Sequence, residues 1–139
     1  MFVKLAFQSN NMNKRIIIIA SVFGILAVIL GAFGAHALKV RLTASELEVW
    51  KTAVDYQFYH TFALLFLSTF SRFNSREIKL ASWFFSLGII FFSGSLYLIS
   101  AKELLNISQI SVIGPITPIG GLFFILGWIS LLVATIKNK

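Results

Sequence analysis

The sequence contains no cysteine, only two prolines and few charged residues. Its 139 residues are 58% hydrophobic and 12% charged, and their mean hydropathy is +0.87. A water-soluble domain carries roughly a quarter charged residues, so this composition does not fit one. The absence of cysteine excludes disulfides, iron–sulfur clusters and thiolate metal sites. The composition instead indicates a chain whose outer surface faces lipid.

Long apolar runs separated by short charged segments dominate the chain. Each helical crossing of a bilayer needs about 20 apolar residues, so a chain of this length has room for four crossings. The sequence therefore predicts an all-α integral membrane protein, an antiparallel four-transmembrane-helix bundle forming a single domain over residues 12–139. Residues 1–11 show no clear period, and we interpret them as an N-terminal extension. The predicted helices cover residues 16–38, 44–71, 80–101 and 118–136.

Local motifs mark the beginning of two of these helices. Thr43 and Glu46 match a capping box. Thr117 is predicted as the N-cap of the last helix, with Pro118 at its first helical position. Ala35-His36-Ala37 resembles a signal-peptidase site, but the apolar run before it exceeds the roughly 7 to 15 residues of a signal peptide, which favours an uncleaved helix.

The net charge of +7 is concentrated between the apolar runs, which favours lipid headgroups over nucleic acid as the anionic partner. Cytoplasmic segments of membrane proteins carry an excess of lysine and arginine. The side that holds the termini has the larger number of cations, so both termini are predicted to be cytoplasmic. The cations on that side are Lys4, Lys14, Arg15, Arg72, Arg76, Lys79, Lys137 and Lys139, and those on the other side are Lys39, Arg41, Lys51 and Lys102.

Small residues at helical spacing are predicted to form the packing faces of the bundle. Membrane helices associate through close backbone approach, which glycine permits. Such faces also suit assembly into a homo-oligomer or a larger membrane complex. The predicted packing glycines are Gly24, Gly31 and Gly34 in the first helix and Gly120 and Gly127 in the last.

Ionisable side chains inside a bilayer are costly and need a partner or a purpose. His36 and Asp55 are predicted to lie at nearly the same depth on neighbouring helices, and to form a hydrogen bond or an ion pair. His60 lies deeper and is predicted to share a face with Tyr56 and Gln57. Two histidines are too few to predict a metal or haem site, and no cofactor is predicted.

The partner predicted for His60 is the Ser93 hydroxyl or a free carbonyl near Pro118. Tyr97 and Thr117 complete a predicted polar cluster toward one end of the bundle. Two interpretations of this cluster stay open: a structural hydrogen-bond network, or a proton path or ligand site.

Four blocks of the sequence resemble a known family. The blocks are 31–38 (GAFGAHAL), 50–60 including YQFYH at 56–60, 92–97 (FSGSLY) and 114–121 (GPITPIGG). In this order they are similar to the bacterial domain-of-unknown-function family 423, which is related to eukaryotic transmembrane protein 256. The resemblance implies a four-helix integral protein of the bacterial inner membrane, and it implies no reaction.

Two functional hypotheses arise from the sequence. The first is a structural or accessory protein of the membrane, since no nucleotide motif or sizeable soluble segment is present. The second is a conduit for protons or a small solute that uses His60, Tyr56 and Gln57 together with the His36–Asp55 pair. An enzyme is not predicted, because no nucleophile with a paired base is evident.

Overall fold

The computed structural model describes residues 10–70, 76–107 and 110–137, and this part of the chain is helical without strands. Helix α1 spans Asn10–Phe33 and continues through a π-helical turn, Gly34–Leu38. Helix α2 spans Ala44–Thr69. Helix α3 spans Arg76–Ser100 and contains a second π-helical turn, Ile89–Ser93. A short helix α4, Ile110–Ile113, precedes α5, Ile116–Lys137.

These bounds differ from the predicted ones mainly at helix starts. α1 begins at Asn10, and of the predicted N-terminal extension, residues 1–11, all but the last two lie outside the described residues. α3 begins at Arg76, before the predicted residue 80, because a charged residue in the first turn can reach the headgroup region while its backbone is helical.

The predicted capping box at the start of α2 is confirmed. The Thr43 hydroxyl accepts a hydrogen bond from Glu46 N–H at 3.3 Å, and the Thr43 N–H donates to Glu46 Oε2 at 2.9 Å. Both hydrogen bonds satisfy backbone donors that the first turn of a helix leaves unpaired. The chain reversal after α1 is therefore fixed by local chemistry.

The prediction of Thr117 as the N-cap of the last helix is wrong. α5 begins earlier, at Ile116, so Pro118 lies inside the first turn, where its missing N–H breaks no hydrogen bond. The Thr117 hydroxyl forms a 2.6 Å hydrogen bond with the Ser95 hydroxyl of α3 instead of capping α5. Its role is to join two helices.

Long helices that follow one another in the chain run antiparallel. Trp50 near the start of α2 donates to Leu30 O late in α1, and Gln57 further along α2 donates to the earlier Phe23 O. The principal helix contacts are α1 with α2, α2 with α3, and α3 with α5. A core that includes Ile16 of α1, Leu64 of α2 and Phe85 of α3 fills the space between α1, α2, α3 and α5.

Three stretches of the described chain are long and apolar enough to cross a membrane: Asn13–Leu38, Arg76–Ser100 and Ser111–Lys137. α2 has a comparable length, but Asp55, Gln57 and His60 interrupt its apolar sequence. The outer face of α1 is covered with exposed aliphatic side chains such as Ile25, Val28 and Ile29. Such a surface is stable against hydrocarbon and would be unstable in water.

The exposed Glu46 carboxylate makes the stability of the start of α2 dependent on pH. Hydrogen bonds from the Thr43 backbone and then its side chain lower the pKa of Glu46 below its usual value of 4.5. A folded-state pKa below the unfolded one means that the stabilisation is present above the unfolded pKa and is lost as the pH falls through the folded pKa. We expect the thermal midpoint to decrease by a few degrees between pH 6 and about pH 3.

Circular dichroism melts in detergent measure this midpoint. Glu46→Gln is expected to remove that part of the acid sensitivity, while Glu48→Gln, two residues further along α2 and outside the capping box, serves as the matched control. An acid response that is identical in Glu46→Gln and the unmodified protein contradicts the assignment.

Candidate functional site

Gln57 is the centre of a buried hydrogen-bond network that joins three helices. Its side chain is 3% exposed. Its Nε2 donates to Phe23 O of α1 at 2.8 Å, and its Oε1 accepts from the Tyr97 hydroxyl of α3 at 2.9 Å. The Thr61 hydroxyl donates to the Gln57 backbone carbonyl at 2.7 Å. Both the nitrogen and the oxygen of the amide therefore have hydrogen-bond partners. We call Gln57 with Phe23, Thr61 and Tyr97 the Gln57 network.

Trp50, two turns before Gln57 in α2, also contacts both α1 and α3. Its Nε1 donates to Leu30 O at 2.9 Å, and its ring lies against Tyr97 with ring centroids 4.7 Å apart. The ring also covers Gly34, where a Cβ atom would lie 2.6 Å from Trp50 Cδ1. Gly34 therefore allows the indole to reach the α1 carbonyl. Ser100 completes this end of the contact by donating to Glu46 O at 2.5 Å.

His60 is separated from the Gln57 network and faces α5. Its imidazole is 6% exposed and stacks on the Phe124 ring, with centroids 3.4 Å apart and planes 7° apart. Its Nδ1 lies 2.8 Å from Tyr56 O, one turn earlier in α2. The predicted partners, Ser93 or a carbonyl near Pro118, are wrong, because the carbonyl of its own helix is within reach.

Tyr56, Gln57 and His60 do not share one face as predicted, because their side chains lie in two different places. Successive helical residues point about 100° apart, so Tyr56 and Gln57 cannot face the same neighbour. Tyr56 is partly exposed and packs on Phe92 with ring centroids 4.6 Å apart. Tyr56 and His60 line one cleft, and Gln57 points into the helix interface.

This cleft lies between α2 and α5 and has a volume of about 770 Å³. Its aromatic walls are open on one side, since Tyr59 is 59% exposed and Trp128 is 49% exposed. We call it the aromatic cleft. The residues that line it include Tyr56, Tyr59, His60, Phe92, Phe124 and Trp128, with Pro118 and Gly121 on the α5 side.

The predicted pair of His36 and Asp55 does not form. No hydrogen bond or ion pair joins these side chains in the described part of the chain, and His36 lies exposed on the π-helical turn of α1. That turn widens the helix by one residue and changes the direction of the side chains within it. Asp55 is half-buried and close enough to interact electrostatically with the Tyr97 hydroxyl.

The predicted packing glycines fall into two groups. A Cβ atom at Gly24 or Gly31 would make ordinary contacts with α2 side chains, at 3.7 and 3.5 Å. A Cβ atom at Gly127 would lie 2.6 Å from the Phe85 ring, and one at Gly120 would collide with the backbone of Phe92. Close approach is therefore required at the α3–α5 contact, while α1 and α2 pack with more room at Gly24 and Gly31.

Ser93 is fully buried in the π-helical turn of α3, and in the described part of the chain its hydroxyl has no hydrogen-bond partner. A buried hydroxyl without a partner is destabilising. We expect Ser93→Ala to raise the free energy of unfolding by about 1 kcal/mol.

Ser95 provides the matched control for that substitution. It is also buried, but its hydroxyl bonds with Phe92 O and with Thr117 Oγ1. Ser95→Ala is expected to lower the free energy of unfolding by about 1 kcal/mol. Unfolding by SDS titration in mixed micelles measures both, and a loss of stability in Ser93→Ala would contradict the expectation.

Several of these contacts could not be found from the sequence. Trp50 and Gln57 bond to backbone carbonyls, which every residue carries, so no sequence motif marks Leu30 or Phe23 as acceptors. Phe124 is one of 15 phenylalanines, and nothing in its neighbourhood distinguishes it. The useful signal is the presence of Trp50 and Gln57 in a largely apolar helix, since each needs a hydrogen-bond partner when buried.

The fold and these contacts define a helical membrane protein with polar inter-helix contacts. The chain belongs to the protein family of unknown function DUF423, whose model matches residues 30–121. It is 46% identical to a UPF0382 membrane protein of Staphylococcus aureus over 89% of this chain and 97% of that protein. It is 40% identical to the UPF0382 membrane protein YwdK of Bacillus subtilis, over 89% of this chain and 98% of that one. No solved structure matches the chain.

Membership of this family agrees with the resemblance seen in the four sequence blocks. The family's function is unknown, and the relatives are named only as membrane proteins. The protein is therefore a membrane protein without an established activity.

Proposed function

We propose that the protein is a structural or accessory component of the bacterial inner membrane, which it crosses four times with both termini in the cytoplasm. The observation that carries this proposal is the Gln57 network. Both polar ends of the Gln57 amide are bound to neighbouring helices, as are Trp50 Nε1 and the hydroxyls of Tyr97 and Ser100. These polar groups are occupied in holding the helices together.

α2 is proposed as the fourth crossing because it lies between α1 and α3, which are both apolar enough to cross a membrane. Its polar side chains Gln57 and His60 are buried against the other helices, which lowers the cost of placing them in hydrocarbon. The antiparallel packing brings the start of α1 and the end of α5 to the same end of the bundle. The distribution of cations favours the cytoplasm for that end.

Cysteine labelling tests this orientation, because the sequence has no cysteine of its own. His36→Cys is expected to react with an impermeant maleimide added to intact cells. Lys137→Cys is expected to react only after permeabilisation. The reverse pattern, or labelling of both from outside, would overturn the proposed orientation.

Membrane partners are proposed to contact the outer face of α1, which packs mainly on α2. We expect a cysteine at Val22, which is exposed on this face, to crosslink to a second copy or to another membrane protein in native membranes. A cysteine at Ile125, similarly exposed on α5, is the matched control. If Val22→Cys gives only the uncrosslinked monomer, α1 faces lipid alone and the accessory role through this face is rejected.

The conduit hypothesis has less support from the geometry. A proton path through Gln57 and His60 would need these groups to face a common passage, whereas one lies between α1 and α3 and the other faces α5. Proteoliposomes provide the test, and we expect proton flux no greater than in empty vesicles. A flux that disappears in His60→Ala would favour the conduit instead.

A further inference from the structure

We propose that the aromatic cleft binds a lipid-soluble ligand that combines a flat aromatic ring with a hydroxyl group. In this complex the ligand hydroxyl donates a hydrogen bond to His60 Nε2. The site would be reached from the bilayer, between α2 and α5. This binding function is independent of the proposed accessory role.

The first step is the tautomer of His60. Its Nδ1 lies 2.8 Å from Tyr56 O, and a carbonyl oxygen can only accept a hydrogen bond. Nδ1 therefore carries the hydrogen, and in a neutral imidazole Nε2 has a lone pair and acts as an acceptor. The fixed Nδ1 contact also holds the ring plane in place.

The second step is that Nε2 has no hydrogen-bond partner among the residues that the structure describes. In the described part of the chain, His60 makes one hydrogen bond, through Nδ1. Over the same residues the one fully enclosed side-chain polar atom without a partner is Ser93 Oγ, so Nε2 keeps some access to the outside. His60 lines the aromatic cleft, so we infer that the cleft is the space that Nε2 reaches. An acceptor without a partner in apolar surroundings favours a ligand that donates a hydrogen bond.

The third step is the shape of the cleft. Its volume of about 770 Å³ is within the range typical of small-molecule sites. The His60 ring is held against Phe124, and Tyr56 and Phe92 form a second ring pair with centroids 4.6 Å apart. Trp128 stands at the edge, with its ring centroid 6.3 Å from that of His60. Aromatic walls of this kind favour a flat ring over a flexible acyl chain.

The α5 wall has little side-chain volume at Gly121, which leaves space beside the rings. A Cβ atom there would meet the Phe92 ring at 3.8 Å, an ordinary contact. A larger side chain at Gly121 can therefore extend into the cleft without a backbone collision. The chain thus offers a substitution that fills the site and leaves His60 unchanged.

The probe for the test is 2-naphthol, compared with 2-methoxynaphthalene, which has the same rings but cannot donate a hydrogen bond. Binding to the full-length protein in nanodiscs is measured by saturation-transfer NMR. We expect the unmodified protein to bind 2-naphthol about fivefold more tightly than the methoxy compound, the effect of one net hydrogen bond. Equal binding of the two probes, or no binding of either, would overturn the proposal without any variant.

Variants then locate the site. His60→Phe keeps a ring against Phe124 and removes the acceptor, and we expect 2-naphthol to bind about fivefold more weakly and no better than the methoxy compound. Gly121→Leu is expected to weaken the binding of both probes. Phe62→Leu, exposed on another side of α2, is the control and is expected to change neither. Unchanged preference for 2-naphthol in folded His60→Phe protein would show that the hydroxyl binds elsewhere and reject the assignment.

Discussion

Replacing Gly120 by alanine is expected to destabilise the bundle by about 3 kcal/mol, which is the largest effect we expect from a single added methyl group. The new Cβ atom would collide with the backbone of Phe91 and Phe92 in the π-helical turn of α3. A side chain in this position could rotate away, but a backbone segment cannot. The two helices would have to separate, and the contacts along the α3–α5 interface would weaken together.

Gly121→Ala is the matched control, since it adds the same methyl group at the next residue of the same helix. There the methyl group would meet only the Phe92 ring at ordinary contact distance. We expect its free energy of unfolding to lie within about 0.5 kcal/mol of the unmodified protein. Reversible unfolding by SDS titration measures both variants. Equal stability of Gly120→Ala and Gly121→Ala would mean that the two helices are not in backbone contact at this point.

Gln57→Leu is expected to lower the free energy of unfolding by about 2 kcal/mol. The substitution keeps a side chain of similar size but removes the donor to Phe23 O and the acceptor of the Tyr97 hydroxyl. The Tyr97 hydroxyl then loses its partner in a partly buried place. Hydrogen bonds between membrane helices contribute roughly 0.6 kcal/mol on average and up to about 1.7 kcal/mol each. The loss of two such hydrogen bonds is therefore consistent with a destabilisation of about 2 kcal/mol.

Tyr97→Phe separates the two contributions of Gln57. It removes only the hydrogen bond from the Tyr97 hydroxyl to Gln57 Oε1. The free energy of unfolding is expected to fall by about half as much as in Gln57→Leu. In the double variant the two costs should not add, because the same hydrogen bond is lost in both. Strictly additive costs would show that Gln57 and Tyr97 act independently and that the Gln57 network does not join the three helices.

The sequence was sufficient to predict the four long helices, because long apolar runs dominate them, and three of these helices are apolar enough to cross a membrane. Charge-free runs of this length have few other stable conformations in a bilayer, and the Thr43–Glu46 capping box can be read from adjacent residues. The same reasoning identifies Gln57 and His60 as side chains that need partners. It could not identify the partners, since these depend on how the helices are rotated about their axes.

Two errors illustrate this limit. The predicted contact of His36 with Asp55 requires regular α-helical geometry to the end of α1, whereas that end is a π-helical turn. The predicted partner of His60 requires a hydrogen bond across the bundle, whereas the imidazole bonds to a carbonyl four residues earlier in its own helix. Neither feature can be deduced from residue type, because the turn and the choice of acceptor both depend on tertiary packing.

The π-helical turn at Ile89–Ser93 also has a consequence for tolerated changes in chain length. Such a turn holds one residue more than a regular helix, and each added residue rotates the remainder of the helix by about 100°. Deleting a single amino acid there would restore an uninterrupted spiral and swing Tyr97 and Ser100 away from Gln57 and Glu46. Natural length variants of this protein should therefore carry their insertions and deletions outside this stretch.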